Sequence, residues 1–271
     1  MVNHSPIRIA IAGFGAIGRQ VACLLNQGVP GFALAAVSAK DVKRAECHLA
    51  TFAKAVPVVP LSALEPYADM VIECAPPYLF RDIVEPFLHN GKDVMALSTS
   101  ALVVHSGLIN IAKANNCQIV IPTGAILGLD AVAAAAEGDI QQVQLTTRKP
   151  PIALAKSTYF LEHEINPESI KEAVRVFSGT AREAARDFPT NMNVAVTLGL
   201  AGIGLDKTMM EIWADPAVKR NTHRVEVISD AAIFNMTIEN MPSENPSTSK
   251  IAALSVVACL RKMTAPLRIG S

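Results

Sequence analysis

A glycine-rich hexapeptide near the start of the chain is the feature that most restricts its possible folds. The segment GFGAIG, residues 13–18, follows the apolar run IRIAIA and opens a stretch with a helical pattern, which is the setting in which such a motif binds a dinucleotide. There the first glycine permits a tight turn, the second lets a pyrophosphate approach the backbone, and the third lets the helix pack closely on the strand. We therefore predict that Gly13, Gly15, Ala16, Ile17 and Gly18 bind a dinucleotide at the helix N-terminus.

Short apolar runs alternate with helical patterns over the first 125 residues, as is typical of a parallel sheet with crossover helices. Each run is almost continuously apolar, which is expected of strands that helices cover on both faces. The sequence thus predicts an α/β fold whose first domain, residues 1–125, is a Rossmann-type parallel sheet. The predicted strands are Ile7–Ala12, Phe32–Ser38, Met70–Cys74, Val94–Leu97 and Gln118–Ile121, and the predicted helices are Ile17–Asn26, Leu79–Leu88 and Val103–Asn115.

The pattern changes after about residue 126. The two predicted strands here, Asp139–Thr147 and Arg224–Ser229, alternate polar and apolar residues, which favours a mixed or antiparallel sheet with one open face. Predicted helices lie at Leu127–Ala136, Asn193–Leu205 and Lys250–Met263. We expect residues 126–271 to form a second α+β domain for substrate binding and catalysis, with the segment 246–263 able to pack back on the first domain.

The composition narrows the class of protein. Of the 271 residues, 51% are hydrophobic and 18% are charged, which supports a large core and excludes a disordered chain. Basic and acidic residues number 24 each, so no net field favours nucleic acid or an anionic membrane. The five cysteines are dispersed and form no CxxC pair, as in reduced cytosolic proteins. We expect a soluble, cytoplasmic protein with a small-molecule substrate, no bound metal, and no nucleic-acid or membrane partner.

The end of the second predicted strand bears on the choice between NAD and NADP. A protein that selects NAD carries Asp or Glu here for the ribose 2′-hydroxyl, whereas this chain has Ser38, followed by Lys40. Lys40 is able to meet a 2′-phosphate, although a solvated surface lysine is an equally good interpretation, and Asp41 would favour NAD if the strand ran further. We predict that NADP is accepted alongside NAD. Ala75 and Pro76 follow another strand, at the edge where the nicotinamide binds, although Pro76 also fits an ordinary turn.

Six histidines are candidates for the proton transfer that accompanies hydride transfer. Five of them lie at the terminus, on predicted helices or their ends, or in a charged loop: His4, His48, His89, His105 and His163. His223 differs, because it lies among polar neighbours in the segment NTHR, just before a predicted strand of the second domain. A lone histidine is more often structural than catalytic, so spacing alone leaves both interpretations of His223 open.

Longer segments resemble the L-aspartate dehydrogenase family along essentially the whole chain. They are GFGAIGR, VIECAPP, ALSTSAL, PTGAILGLDA, TTRKPP, FPTNMNVAVTLGLAGIGLDKT, ADPAVKRNTHRVEV and NPSTSKIAALSVVACLR, of which the last four are much more specific than the glycine motif. The resemblance implies NAD(P)-dependent oxidative deamination of L-aspartate to iminoaspartate, and the reverse amination of oxaloacetate with ammonia. It also implies a homodimer, formed with the second domain. The physiological direction, and the choice between NAD biosynthesis and amino-acid catabolism, stay open.

The same resemblance assigns roles to particular residues. It makes His223 the leading catalytic residue, and it implies cofactor contacts at Ala125 and at either Asn191 or Asn193. Leu127 stands in GAILG where the family pattern has a smaller residue, which bears on local loop packing. In the implied reaction a hydride leaves the α-carbon of aspartate and water attacks the imine. His223 would act as general base on that water, and as acid to the amine in the reverse direction.

A dicarboxylate substrate needs fixed donors for two anions. Arg148 and Lys149 in TTRKPP are candidates, because arginine binds a carboxylate bidentately, although a surface charge pair fits equally well. Asn245, Thr248 and Ser249 precede the last predicted helix, where hydroxyls and free N–H groups favour an anion; simple N-capping would need only one of them. Asn221, two residues before the candidate histidine, completes the predicted substrate-binding set.

Three other classes of protein share parts of this layout. Dihydrodipicolinate reductase resembles the two-domain arrangement but carries a paired-histidine segment and a KxDxPSGTA-type motif, which this chain lacks. A phosphorylating semialdehyde dehydrogenase needs a nucleophilic cysteine at a helix N-terminus between the domains, whereas Cys74 ends a strand and Cys259 lies inside a helix. A non-catalytic NAD(P)-binding regulator would leave the acid–base position empty, but His223 is present.

Overall fold

The computed structural model describes residues 5–155, 157–188, 192–243 and 248–270. The chain divides into two compact units, Met1–Gly124 with Ala252–Arg268, and Ala125–Ile251 with Ile269–Ser271. Most of the C-terminal helix, Lys250–Thr264, thus belongs to the first unit. None of the helices in the described ranges has the length and apolar character needed to cross a bilayer.

A five-stranded parallel sheet forms the centre of the first unit. Its strands lie in the order β2-β1-β3-β4-β5. They are β1 (Ile7–Ala12), β2 (Phe32–Ser38), β3 (Met70–Glu73), β4 (Asp93–Ala96) and β5 (Ile119–Val120), connected by α1 (Ala16–Gly28), α2 (Val42–Leu49), α3 (Phe80–His89), α4 (Thr99–Val104) and α5 (Gly107–Ala114).

Helices cover both faces of this sheet. Along β1, Ala10 and Ala12 pack into a core with residues of α3 and α5. The alternate residues Ile9 and Ile11 pack into a second core with residues of α1 and of the C-terminal helix. Full burial of one such isoleucine contributes roughly 1.5–3 kcal/mol. Because helices cover both faces, the strands are almost continuously apolar in sequence.

The second unit is built on a mixed five-stranded sheet with the order β10-β9-β6-β8-β7. β6 and β8 are parallel, and the other neighbouring pairs are antiparallel. The strands are β6 (Ile140–Lys149), β7 (Val174–Thr180), β8 (Thr208–Ala214), β9 (Asn221–Ser229) and β10 (Ile233–Asn240), and the helices are α6 (Leu129–Ala136), α7 (Thr158–Glu162), α8 (Ala181–Asp187) and α9 (Asn193–Ala201).

One face of the second sheet is covered and the other is open. Along β6, Val143 and Leu145 are fully buried, whereas the alternate residues Gln144 and Thr146 are half-exposed. Helices α8 and α9 pack against β8, and α6 packs against α9. The predicted fold class, a Rossmann-type parallel sheet followed by an α+β domain with a mixed sheet, is confirmed.

Several element boundaries differ from the predictions. The predicted helix Val103–Asn115 is two helices, α4 and α5, and the predicted helix Asn193–Leu205 ends at Ala201. Two glycines follow it, and Gly204, with φ of +88°, adopts a conformation that other residues rarely take. β9 begins at Asn221, so His223 lies inside the strand and not before it. The sequence patterns do not predict β7, β8, β10 or α2.

Candidate active site

Two glycines of the hexapeptide are required by close backbone contacts. Gly13 has φ of +100°, and a Cβ there would lie 2.6 Å from the carbonyl oxygen of Cys74. A Cβ on Gly18 would lie 2.1 Å from the carbonyl oxygen of Gly13. Gly13 therefore lets the turn after β1 lie against the end of β3, and Gly18 lets α1 begin directly beside that turn.

Gly15, the middle glycine of the hexapeptide, leaves the start of α1 open. Gly15 is the N-cap residue, no side chain caps the helix, and its first turn carries no acidic residue. A Cβ on Gly15 would meet no atom of the described residues within 4 Å. The backbone N–H groups at the start of the helix are therefore available to an anion, which the helix dipole also favours. These residues fit the pyrophosphate of a dinucleotide.

The hexapeptide lies where the strand order of the first sheet reverses. β1 has β2 on one side and β3 on the other. The chain first adds β2 on one side of β1, and then adds β3, β4 and β5 in turn on the other side. Ligands of open α/β sheets bind outside the carboxyl ends of the strands at such a point. The position of the motif and the topology thus indicate the same binding edge.

A buried carboxylate accepts hydrogen bonds from two loops at this edge. Glu73 ends β3 and is fully buried. It accepts hydrogen bonds from the backbone N–H groups of Ala75, Leu97 and Ser98 at 2.8–3.2 Å, and from the Ser98 hydroxyl at 3.0 Å. Burial raises the pKa of Glu73, and these hydrogen bonds oppose the rise. The loops after β3 and β4 are therefore held in a fixed arrangement by one side chain.

The end of β2 places the residues that bear on cofactor choice. The strand ends at the buried Ser38, whose carbonyl oxygen accepts from the Gly13 N–H at 2.9 Å. Lys40 is exposed. The Asp41 carboxylate lies beyond the strand and caps α2, where it accepts from the Arg44 N–H at 3.0 Å. Ser38, and not Asp41, is thus the residue at the strand end.

Ala75 and Pro76 follow β3, at the same edge. The Ala75 N–H donates to Glu73, so this residue belongs to the loop that the carboxylate fixes. Pro76 is exposed and precedes the short 3₁₀ turn Pro77–Leu79. Its backbone position suits an ordinary turn, and its predicted cofactor contact stays a prediction.

The covered face of the second sheet is apolar except at one end. Opposite residues of β6, β9 and β10 form rows across this face. The apolar rows are Val143, Val227 and Phe234, and then Leu145, Val225 and Met236. The next row is Thr147, His223 and Ile238; one step further, Lys149 ends β6 and Asn221 pairs with Asn240. We call the five polar residues Thr147, Lys149, Asn221, His223 and Asn240 the polar end.

His223 is a buried, neutral base at the polar end. It is 4% exposed, and its Nδ1 lies 3.0 Å from Oγ1 of Thr147 on the opposite strand. Burial, together with the positive charge of Lys149, lowers the pKa of His223 to about 3. In the tautomer that donates from Nδ1 to the threonine, Nε2 keeps its lone pair. Nε2 is then the atom that accepts a proton.

Lys149 is a buried cation on the same face. It is 5% exposed, and burial lowers its pKa to about 8, so most of the side chain is still protonated at neutral pH. No carboxylate of the described residues forms an ion pair with it. Because a buried charge without a counter-ion is costly, the polar end is suited to an anionic ligand.

Arg148 lies on the opposite face of the sheet. Neighbouring residues of a strand point to opposite faces, so Arg148 is separated from Thr147 and Lys149. Its guanidinium donates to the Asp215 carboxylate at 2.9 Å and lies 4.9 Å from the centre of the Trp213 ring. The structure therefore does not bring Arg148 together with His223; of the two predicted cations, only Lys149 shares the face of the histidine.

The remaining predicted residues of the second unit are distributed as follows. Ala125 begins this unit, and its carbonyl oxygen accepts a hydrogen bond from Asn240. Asn193 is the first residue of α9. The Thr248 hydroxyl bonds to that of Ser243, whereas the Oγ of the buried Ser249 has no hydrogen-bond partner among the described residues. Two further candidates lie outside the described residues: Asn191 and Asn245.

The sequence analysis missed Glu73 and Asn240. A signal for Glu73 exists, because a carboxylate that ends the apolar run MVIE is unusual for a strand covered on both faces. Asn240 carries no comparable signal. Its burial depends on β10, a strand whose outward-facing residues are polar or exposed and whose pattern was too weak to predict.

Comparisons with known proteins agree with this architecture. Residues 13–122 match the family model described as homoserine dehydrogenase, NAD binding domain, and residues 130–263 match that of aspartate dehydrogenase, C-terminal. The chain is 49% identical to L-aspartate dehydrogenase 3 of Bordetella bronchiseptica over 100% of both chains. It is 46% identical to L-aspartate dehydrogenase of Bradyrhizobium diazoefficiens over 98% of this chain and 95% of that protein. The crystal structure of aspartate dehydrogenase from Thermotoga maritima matches with a TM-score of 0.74 and 27% identity, covering 98% of this chain and 100% of that chain.

These matches confirm the family resemblance of the sequence segments and the expectation of NAD or NADP as cofactor. They extend over both units, so they cover the glycine motif as well as the polar end. The chain belongs to the aspartate dehydrogenase family of NAD(P)-dependent oxidoreductases.

Proposed function

We propose that this protein catalyses the reversible oxidative deamination of L-aspartate. L-Aspartate, NAD(P)⁺ and water give oxaloacetate, ammonia, NAD(P)H and a proton, with iminoaspartate as the intermediate. The observation that carries the proposal is the buried Lys149, which has no carboxylate partner among the described residues and shares a sheet face with the neutral His223. A dicarboxylate substrate supplies the anion that this arrangement lacks.

Lys149 is the proposed anchor for one substrate carboxylate. An ion pair in a buried site is only weakly screened by water, so a carboxylate bound there gains more than it would at the exposed Lys40. Binding also removes the cost of holding the lysine charged and alone. The neighbouring Asn221 and the buried hydroxyl of Ser249 are the proposed donors that complete the substrate site, with Asn245 and Thr248 as further candidates. For Arg148, paired with Asp215 on the other face, the structure offers no support as a substrate residue.

His223 is the proposed acid–base group. When bound, the nicotinamide ring supplies the hydride acceptor. Nε2 of His223 takes a proton from the water that attacks the imine, and returns a proton to the departing amine. In the free protein burial, together with the charge of Lys149, lowers the pKa of His223 and keeps the imidazole neutral. A bound dicarboxylate offsets that charge and raises the proton affinity of the histidine when the proton must be accepted.

The cofactor proposal has two parts. The hexapeptide holds the pyrophosphate, and Ala75, Ala125 and one of Asn191 and Asn193 are the proposed contacts nearer the nicotinamide. Ser38 and Lys40 at the end of β2 support acceptance of NADP beside NAD, because no carboxylate stands at the strand end to repel a 2′-phosphate.

Spectrophotometry of NAD(P)H formation tests the proposed function. We expect reduction of both cofactors with L-aspartate, and none with L-glutamate, L-alanine or homoserine, which lack a carboxylate at the distance that aspartate provides. Oxaloacetate with ammonia should oxidise the reduced cofactor. No change in NAD(P)H absorbance in either direction would overturn the proposed reaction. Strict rejection of NADP would overturn the roles of Ser38 and Lys40.

The proposed assembly is a homodimer, and the proposed compartment is the cytoplasm. The family resemblance of the second domain supports the dimer. None of the five cysteines, all of which lie in the described ranges, forms a disulfide, which is in keeping with a reducing compartment.

A further inference from the structure

Asn240 ends β10 with an amide whose orientation is fixed. The residue is 4% exposed, and its Nδ2 donates to the carbonyl oxygen of Ala125 at 3.0 Å. A carbonyl oxygen only accepts hydrogen bonds, so the group that faces Ala125 is the NH₂ and the other atom is Oδ1. This oxygen is fully buried and has no hydrogen-bond partner within the described ranges.

A buried acceptor without a donor is uncommon in native proteins and needs an explanation. Leaving it without a partner is costly, because the oxygen has lost its water. An apolar residue of similar size would avoid that cost if the position served packing alone. The oxygen is therefore suited to an N–H or O–H group that arrives with a ligand.

The register places Asn240 within the polar end. It pairs with Asn221, and its neighbour two residues back, Ile238, pairs with His223. Asn240 and His223 are thus diagonal neighbours on one face, a spacing of about 7–8 Å between backbones that polar side chains and a small substrate bridge. The amide oxygen belongs to the same site as the candidate acid–base group.

The chemistry of the other groups at the polar end favours the substrate nitrogen as the partner of the amide oxygen. Lys149 only donates hydrogen bonds, and it suits a carboxylate. Oγ1 of Thr147 and Nδ1 of His223 are already hydrogen-bonded to each other. The substrate nitrogen, which carries N–H donors both as an amine and as ammonia, needs an acceptor beside these donors. Asn240 supplies one.

We propose that Oδ1 of Asn240 accepts a hydrogen bond from the reacting nitrogen, which is the amino group of L-aspartate in oxidation and ammonia in the reverse reaction. This rests on the proposed function. The carboxamide of the nicotinamide ring is an alternative source of the same N–H donor, because Ala125 is also a proposed cofactor contact. Kinetics of the ammonia-dependent direction separate the two sources.

The experiment measures the KM for ammonia at saturating oxaloacetate and NAD(P)H, and the cofactor dissociation constant by fluorescence. Asn240→Ala should raise the KM for ammonia roughly tenfold or more, the effect of one lost hydrogen bond in a buried site, and leave cofactor affinity within about twofold. Asn235→Ala, the same change at an exposed position of β10, is the control and should change neither value. Asn240→Val, which suits a strand and has no acceptor atom in its side chain, should repeat the result if Asn240→Ala does not fold.

Each other outcome overturns the assignment. A weaker affinity for the cofactor with an unchanged KM for ammonia would indicate that Oδ1 of Asn240 accepts its hydrogen bond from the nicotinamide carboxamide. Equal losses for ammonia and for the cofactor, or no loss of either, would leave Asn240 a structural residue that only holds Ala125. Wild-type protein without turnover in either direction would instead refute the proposed function, and this inference with it.

Discussion

Within two residues on each strand, the covered face of the second sheet changes from apolar to polar. Leu145 gives way to Thr147 and Lys149 along β6, and Val225 gives way to His223 along β9. Burying a histidine and an uncompensated lysine costs stability that valine or leucine at these positions would not. Residues of this kind persist where they serve a ligand, and perturbed pKa values are common at such sites.

Replacing the histidine separates catalysis from cofactor binding. His223→Ala should lower kcat by roughly 10²–10⁴-fold, the usual contribution of a placed proton-transfer group, while the cofactor dissociation constant stays near that of the wild type. His89→Ala, at a histidine whose side chain is 59% exposed, is the matched control and should retain full activity. Unchanged turnover in His223→Ala would remove the residue from the mechanism.

The same histidine makes the fold sensitive to acid. Its pKa is about 3 in the folded protein, against an ordinary value of 6.5, so below about pH 6.5 the unfolded state binds a proton that the folded state does not. As far as it depends on His223, the free energy of unfolding is highest above pH 6.5, and it declines by up to a few kcal/mol as the pH falls towards 3. Urea unfolding at pH 7 and pH 4.5 should show a smaller loss of stability for His223→Gln than for the wild type. Parallel losses in the two proteins would contradict the buried, neutral histidine.

Strands were predicted correctly where a single physical cause determined their sequence pattern. β1 and β2 were predicted to the residue, because strands covered on both faces leave continuous apolar runs. β10 was missed because one of its faces is exposed, and its burial depends on pairing with β9, which no local pattern encodes. His223 was identified as a candidate, but only the register shows that it shares a face with Lys149 and that Arg148 does not.

Glu73 acts between elements, since it joins the loops after β3 and β4. Glu73→Gln replaces one acceptor oxygen with an NH₂ group that faces backbone donors, so at least one buried N–H or hydroxyl loses its partner. We expect the free energy of unfolding to fall by about 1–3 kcal/mol and the affinity for NAD(P)H to weaken, as measured by chemical denaturation and fluorescence titration. Glu46→Gln, at an exposed position of α2, should behave as the wild type. If both variants match the wild type, the carboxylate does not organise the binding edge.

At the scale of the whole molecule, each unit carries a different part of the proposed reaction. The first holds the motif for the dinucleotide, and the second holds the polar end. In the sequence, the strands change from continuous to alternating apolar runs near residue 126, which is the basis of the expected domain boundary. The return of the C-terminal helix to the first unit shows in the structure, where Ala253, Val256 and Leu260 complete the core beside α1.

The proposed homodimer is a property of the whole molecule with a simple test. Light scattering on the purified protein should give twice the chain mass of 28.8 kDa, and the value should hold over a wide range of protein concentration. A mass of one chain at the concentrations used in the activity assay would contradict the dimer.

Binding of a substrate carboxylate by Lys149 is the step on which the proposed reaction depends. Its most direct test is the steady-state KM for L-aspartate of Lys149→Met, which keeps the length and burial of the side chain but removes the charge. Lys207→Met, at an exposed lysine of the same unit, is the control. We predict a KM at least about tenfold higher than that of the wild type, with unchanged affinity for the cofactor. A KM equal to that of the wild type would show that the substrate carboxylate binds elsewhere.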